Sequence, residues 1–220
     1  MMQEKISTGR ILLNLLAIAI IFLLPHSGIV PFPFGYAIVL TIGIWLYLKV
    51  TKENFNNLGF SFKRFEPKAI VVGAILAIVT FVFLQYAFFP VLHKIIPLEK
   101  GRLDGFTQIR HHFINYLFFV LLGFIFGGWY EEIAFHGFIF TRLEKMIGGR
   151  YALPVSFIIA NIIFGLYHFQ LGASGVINAF MAGCVYHAVI LKYNRNLWYG
   201  FFVHGFFDAI AFTYIYLGYW

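Results

Sequence analysis

The chain has 220 residues, of which 61% are hydrophobic, 21% aromatic and only 11% charged, with a net charge of +7. A soluble domain is roughly half apolar and about a quarter charged, so this composition excludes one and reads as an all-α, polytopic integral membrane bundle. About eight transmembrane helices of roughly 20 residues fit with short loops, which leaves no room for a separate soluble domain. The basic residues are scattered rather than gathered into a stripe, which fits anionic lipid headgroups and argues against a nucleic-acid partner. Cys184 is the single cysteine, so no internal disulfide forms.

Lys5 and Arg10 precede an apolar run, Ile11–Leu24, in the manner of a signal peptide. The residues that follow, Pro25-His26-Ser27-Gly28, read as a turn and not as a small-residue cleavage site, so the run is the first membrane helix. Apolar stretches bounded by charge, Pro or Gly then predict helices over 11–24, 34–50, 68–92, 112–129, 131–147, 152–169, 172–192 and 196–217. The first and fifth are short for a full crossing and call for tilt or partial insertion. One basic connection runs from Lys49 to Lys68 and includes Lys52, Lys63 and Arg64. A second, from His93 to His112, holds Lys94, Lys100, Arg102 and Arg110. Simple alternation puts these loops on opposite sides, so their charge leaves the orientation open. Gly123/Gly127 and Ala179/Gly183, each spaced by four, allow close approach of neighbouring helices.

The polar residues inside the apolar runs carry the functional signal. Trp129-Tyr130-Glu131-Glu132-Ile133-Ala134-Phe135-His136-Gly137 follows a stretch, 113–128, without any charge, and the next charge after Glu132 is Arg142. A carboxylate at membrane depth costs a few kcal/mol on insertion scales, so one that persists there has a task. On an α-helix Glu132 and His136 share a face, while Glu131 points about 100° away, which suggests one working carboxylate and one supporting pair. Phe164 and His168 lie four apart, as do His204 and Asp208. Taken singly, each fragment also reads as an interhelical hydrogen-bond partner, a self-satisfied clasp or a proton path. Asn161, Asn178 and His187 read as packing or interhelical polar contacts, and His26, His93, His111 and His112 as interfacial.

In order, the chain presents Glu-Glu-x-x-x-His, Phe-x-x-x-His and His-x-x-x-Asp on three separate apolar stretches. This resembles the CAAX protease and bacteriocin-processing (CPBP, or Abi) family of intramembrane endopeptidases, whose motifs are Glu-Glu-x-x-x-Arg, Phe-x-x-x-His and His-x-x-x-Asn/Asp. The resemblance spans roughly Trp129 to Asp208, with His136 standing where the family has Arg. Length makes the chain a single membrane domain over 1–220; the N-terminal helices in 1–128 match only in being apolar, and the resemblance implies catalytic core helices in 129–217. It also implies that Glu131 and His168 activate a water, that His204 and Asp208 stabilise the reaction, and that Glu132, His136 and Phe164 support them.

Chemistry constrains these roles. A desolvated Glu131 suits a general base that later returns its proton. An ionised Asp208 only accepts hydrogen bonds, so it is protonated, or orients and charges His204, or ligates a metal. Glu131, His168, His204 and Asp208 form a plausible Zn²⁺ set, although no His-Glu-x-x-His run is present. Metal-independent glutamate catalysis without a cofactor is the favoured reading. His136 makes a single titratable bond where Arg would fork, which raises the alternative of an impaired relative. The leading function is a multi-pass cell-membrane endopeptidase acting on a peptide or lipidated peptide among membrane lipids. The competing readings are a non-catalytic membrane binding or immunity protein, and an ion-coupled transporter, against which the lack of an inverted repeat counts. Oligomeric state is left undetermined.

Overall fold

The computed structural model describes residues 7–30, 34–99 and 101–219; Lys5 and Lys100, two of the basic residues considered above, lie outside them. The described residues form helices and connecting turns without a strand, which agrees with the all-α expectation. Backbone polar groups in lipid find partners within a helix, so helices are the natural outcome for such apolar runs. The long helices are α1 (Thr8–Leu23), α2 (Gly35–Val50), α3 (Pro67–Ile95), α4 (Phe113–Ile147), α5 (Ala152–Tyr167), α6 (Gly172–Lys192) and α7 (Leu197–Tyr216).

The expected break between 112–129 and 131–147 is absent. Phe113–Ile147 is one continuous helical rod, and its middle, Gly123–Ile139, is wound as a wider π-helix. The division rests on the charges of Glu131 and Glu132 between two apolar runs, but no Pro stands between 113 and 147, and the backbone stays helical. π-Helical turns are rare and concentrate at functional sites. Four helical stretches are long and apolar enough to cross a membrane: Thr8–His26, Pro67–Ile95, Phe113–Ile147 and Phe169–Lys192. Gly35–Val50 and Ala152–Tyr167 are apolar but shorter.

The outward faces are as apolar as the inside. Leu12, Ile38, Val71 and Ile114 are each about three-fifths exposed or more, whereas Ala69, Ala77 and Ala160 are fully buried. This distribution, with small residues between helices and large aliphatic ones outside, belongs to an integral membrane protein. The helices alternate in direction. At one end Arg142 forks onto Glu53 at 2.9 and 2.6 Å, Arg195 reaches Glu144, and the Leu197 amide donates to the Gly59 carbonyl. At the other end the Arg102 amide donates to the Leu171 carbonyl, the His111 amide donates to the Tyr216 carbonyl, and the His26 ring lies 4.6 Å from that of Phe169.

α7 is the central rod, packed along α3 and the π-helical part of α4. Glycines make those contacts possible: a Cβ on Gly123 would stand 2.9 Å from the Asp208 Cβ, and one on Gly127 would collide with the Asp208 carboxylate. The sequence pair Gly123/Gly127 therefore seats α7.

Glu53 ties the basic end together. Burial alone would raise its carboxyl, but hydrogen bonds and charge from Arg142 and Lys145 outweigh it and bring the pKa from 4.5 down to about 2. A carboxyl depressed by folding stabilises above its unfolded value and loses that stabilisation as pH falls towards its folded value. Wild type should therefore melt above Glu53→Gln at neutral pH in detergent, with the difference closing between pH 4.5 and about 2. A difference independent of pH would show that charge on Glu53 is not what stabilises this end.

Candidate active site

The wide turn of α4 sets two adjacent carboxylates to different tasks. The Glu131 Oε2 lies 3.8 Å from the His168 Nε2 and 3.8 Å from the His204 Nε2. His204 Nε2 is also 3.8 Å from the Asp208 Oδ2. These separations exceed a direct hydrogen bond and suit groups that share a small molecule between them. The four residues predicted as catalytic thus converge from α4, the C-terminal end of α5, and α7. Phe164, predicted to wall the His168 ring, stands edge-on to it with centroids 4.8 Å apart.

Each ring is oriented from its far side. The His168 Nδ1 donates to the Phe164 carbonyl at 2.8 Å, so in the neutral ring Nε2 carries the lone pair that faces Glu131. The His204 Nδ1 donates to the Glu132 Oε1 at 2.8 Å, and the Tyr186 ring stacks on its face at 4.5 Å and 24°. Glu132 takes a second bond through Oε2 from the His136 Nδ1, also at 2.8 Å. The predicted pairing of Glu132 with His136 is present. The sequence does not reveal that Glu132 also aims His204, because residues 72 positions apart give no local signal.

Beyond His136 lie Asn161 and His187, which the sequence reads as packing or interhelical polar contacts. The Asn161 Nδ2 donates to the Phe157 carbonyl at 2.8 Å and faces the His187 Nδ1 at 3.0 Å. That fixes the amide, so Oδ1 is the atom 3.3 Å from the His136 Nε2. His136 therefore meets an oxygen at each ring nitrogen. It is 1% exposed, as is Glu132. Its Nδ1 bond to Glu132 stands where an Arg would place its fork. The remaining signal for Asn161 and His187 was their polarity within apolar helices, which pointed to contact without naming the partner.

A cavity of about 430 Å³ opens onto Glu131, His168, His204 and Asp208. Its walls are largely aromatic and aliphatic, with Phe34, Phe126 and Phe212 among them. His26, expected to be merely interfacial, lines its mouth, and Asn178 lines its side. Among the described residues no group of three or more His, Cys, Asp or Glu stands in metal-holding geometry.

Residues 113–210 match the family model for Rce1-like proteins, described as type II CAAX prenyl endopeptidase Rce1-like. This stretch is an Rce1-like domain. It contains all four converging residues as well as Glu132, His136 and Asn161, and it is consistent with the CAAX protease (CPBP) family. The Rce1-like domain begins at the start of α4 and ends within α7, so it covers the helices that carry the four converging residues. No curated protein and no solved structure matches the chain.

Proposed function

We propose that the protein is a multi-pass, glutamate-type intramembrane endopeptidase whose substrate is a peptide or lipid-modified peptide. The observation that carries this reading is the convergence of the Glu131 carboxylate with two imidazole Nε2 atoms at 3.8 Å each, in a cavity within the apolar bundle. Family membership of the Rce1-like stretch supports the same activity. Catalysis needs a water deprotonated as it attacks, a donor for the oxyanion and a proton for the amine.

A water between Glu131 and His168 donates one hydrogen to each acceptor. Glu131 takes a proton as the water oxygen bonds to the scissile carbonyl carbon. The carbonyl oxygen becomes the oxyanion, and His204 faces it with Nε2 as donor. Glu131 then returns the proton to the leaving nitrogen, the C–N bond breaks, and the products are an amine and a carboxylic acid, whose remaining proton passes to the Glu131 carboxylate and on to water as it leaves. Glu132 on Nδ1 and Asp208 beside Nε2 both favour a doubly protonated His204. Asp208 thus acts through His204, in keeping with a group that only accepts.

Purified protein in proteoliposomes should cleave apolar peptides at a rate unaffected by chelators, with no stoichiometric metal on analysis. Loss of cleavage on chelation, restored by Zn²⁺, would replace the glutamate-type assignment with a metallopeptidase. Cleavage in neither condition, with any peptide bound but intact, would favour the binding-protein reading.

His136 offers a separate check. His136→Arg keeps a donor against Glu132 and should retain kcat within a few-fold, since Arg also forks onto a carboxylate. His136→Leu leaves Glu132 short of a partner and should lower kcat by about 10–100-fold, the usual scale for an orienting contact. Equal activity of the Leu variant and wild type would remove the bond from His136 to Glu132 from the mechanism.

A further inference from the structure

The two ends of the bundle differ in charge, and the cavity opens at only one of them. Three connections meet at the end tied by Glu53. The loop after α2 and the start of α3 bring Lys49, Lys52, Lys63, Arg64 and Lys68; the α4–α5 turn brings Arg142, Lys145 and Arg150; the α6–α7 turn brings Lys192 and Arg195. The opposite end, among the described residues, has Lys94, Arg102 and Arg110. With Arg10 at the start of α1, the comparison is eleven Lys and Arg against three. Acidic residues, which count little for orientation, are Glu53, Glu66 and Glu144 at the first end, and Glu99 and Asp104 at the second.

Short loops rich in Lys and Arg stay in the cytoplasm. The alternation of α1 to α7 now assigns each loop to an end, which the sequence could not do while α4 was read as two helices. The mouth of the cavity is formed by Pro25, His26, Leu103, Phe106, Gln170 and Leu171, all from the less basic end. Its floor is Glu131 and His204, and none of its walls comes from the basic connections.

We infer that the active-site cavity opens to the extracytoplasmic side, and that its substrate is an apolar segment of an exported peptide or of a membrane anchor's outer end. This rests on the peptidase reading for its second half only. The aromatic walls provided by Phe34, Phe119, Phe126 and Phe212 suit apolar side chains. A lipid-modified C-terminus made in the cytoplasm would instead meet the basic end, where no opening reaches Glu131.

In a Cys184→Ser background, Asn56→Cys places a thiol on an exposed residue of the basic end and Gln108→Cys places one on an exposed residue of the other. Spheroplasts are treated with a membrane-impermeant maleimide, before and after lysis. The thiol at 108 should label at least about ten times more than the thiol at 56 before lysis, and both should label fully after it. Stronger labelling at 56, or equal labelling of the two before lysis, overturns the orientation. A second arm adds an impermeant apolar peptide outside right-side-out vesicles. Cleavage there, absent in Glu131→Gln, supports the substrate class; cleavage confined to inverted vesicles overturns it. Because maleimide labelling needs no proteolysis, a protein that labels as expected but cleaves from neither side refutes the peptidase reading while the orientation stands.

Discussion

Glu131→Gln is expected to abolish peptide cleavage while leaving the fold intact. Glutamine has the shape of glutamate but cannot take the proton of the attacking water, and general-base catalysis contributes about 10²–10⁴-fold. The Glu131 Oε2 makes no direct hydrogen bond to either His168 or His204, both of which stand 3.8 Å away. Neutralising it therefore removes no packed partner, and the melting temperature in detergent should match wild type. The measurement is single-turnover cleavage in proteoliposomes beside a thermal melt. Cleavage at the wild-type rate would end the assignment of Glu131 as the base. Loss of cleavage with a collapsed melt would instead place Glu131 among the residues that hold the fold.

Glu132→Ala should do the reverse, losing stability first and activity as a consequence. Glu132 is the shared acceptor of the His136 and His204 Nδ1 atoms, each at 2.8 Å, and it is 1% exposed. Removing it leaves the His136 Nδ1 without its acceptor and frees the His204 ring. Breaking a buried charge pair by deleting one partner costs about 3–5 kcal/mol, enough to bring many membrane helical bundles near unfolding at ambient temperature. The packing around it offers no relief: a Cβ added to Gly200 would come within 2.5 Å of the Glu132 Oε2, so α7 sits directly on this carboxylate. Thermal melts of Glu132→Ala and Glu131→Gln measured together give the discriminating ordering. A Glu132→Ala protein as stable as wild type would show that the two histidines find other partners and that Glu132 does not position His204.

The contrast between these adjacent carboxylates shows how far the sequence reaches. Spacing alone separates Glu131 from the Glu132–His136 pair, because residues four apart share a helix face. The pairing holds even on the π-helical turn that replaced the expected α-helix. The motifs at Phe164–His168 and His204–Asp208 are likewise local, four residues apart, and each lies on one helix face. What no local pattern carries is the second bond of Glu132, to His204, or the way Asn161 and His187 complete the surroundings of His136. Those contacts join α4 to α5, α6 and α7, and depend on which faces turn towards each other.

The same limit explains the helix count. The charges of Glu131 and Glu132 read as the boundary between two spans, and Gly127 only as a place where helices approach. In the folded chain Gly127 admits the Asp208 carboxylate at the foot of the cavity, and backbone continuity is favoured where lipid offers no water to satisfy a broken turn. Long uninterrupted apolar runs by themselves determined that this is a membrane protein built of helices, since a closed barrel would alternate apolar and polar residues instead. The order of its polar residues determined which side chains are candidates for chemistry. Only the tertiary structure decided that they meet, which atoms of each ring face inwards, and at which end the cavity opens, because those depend on packing between helices distant in sequence.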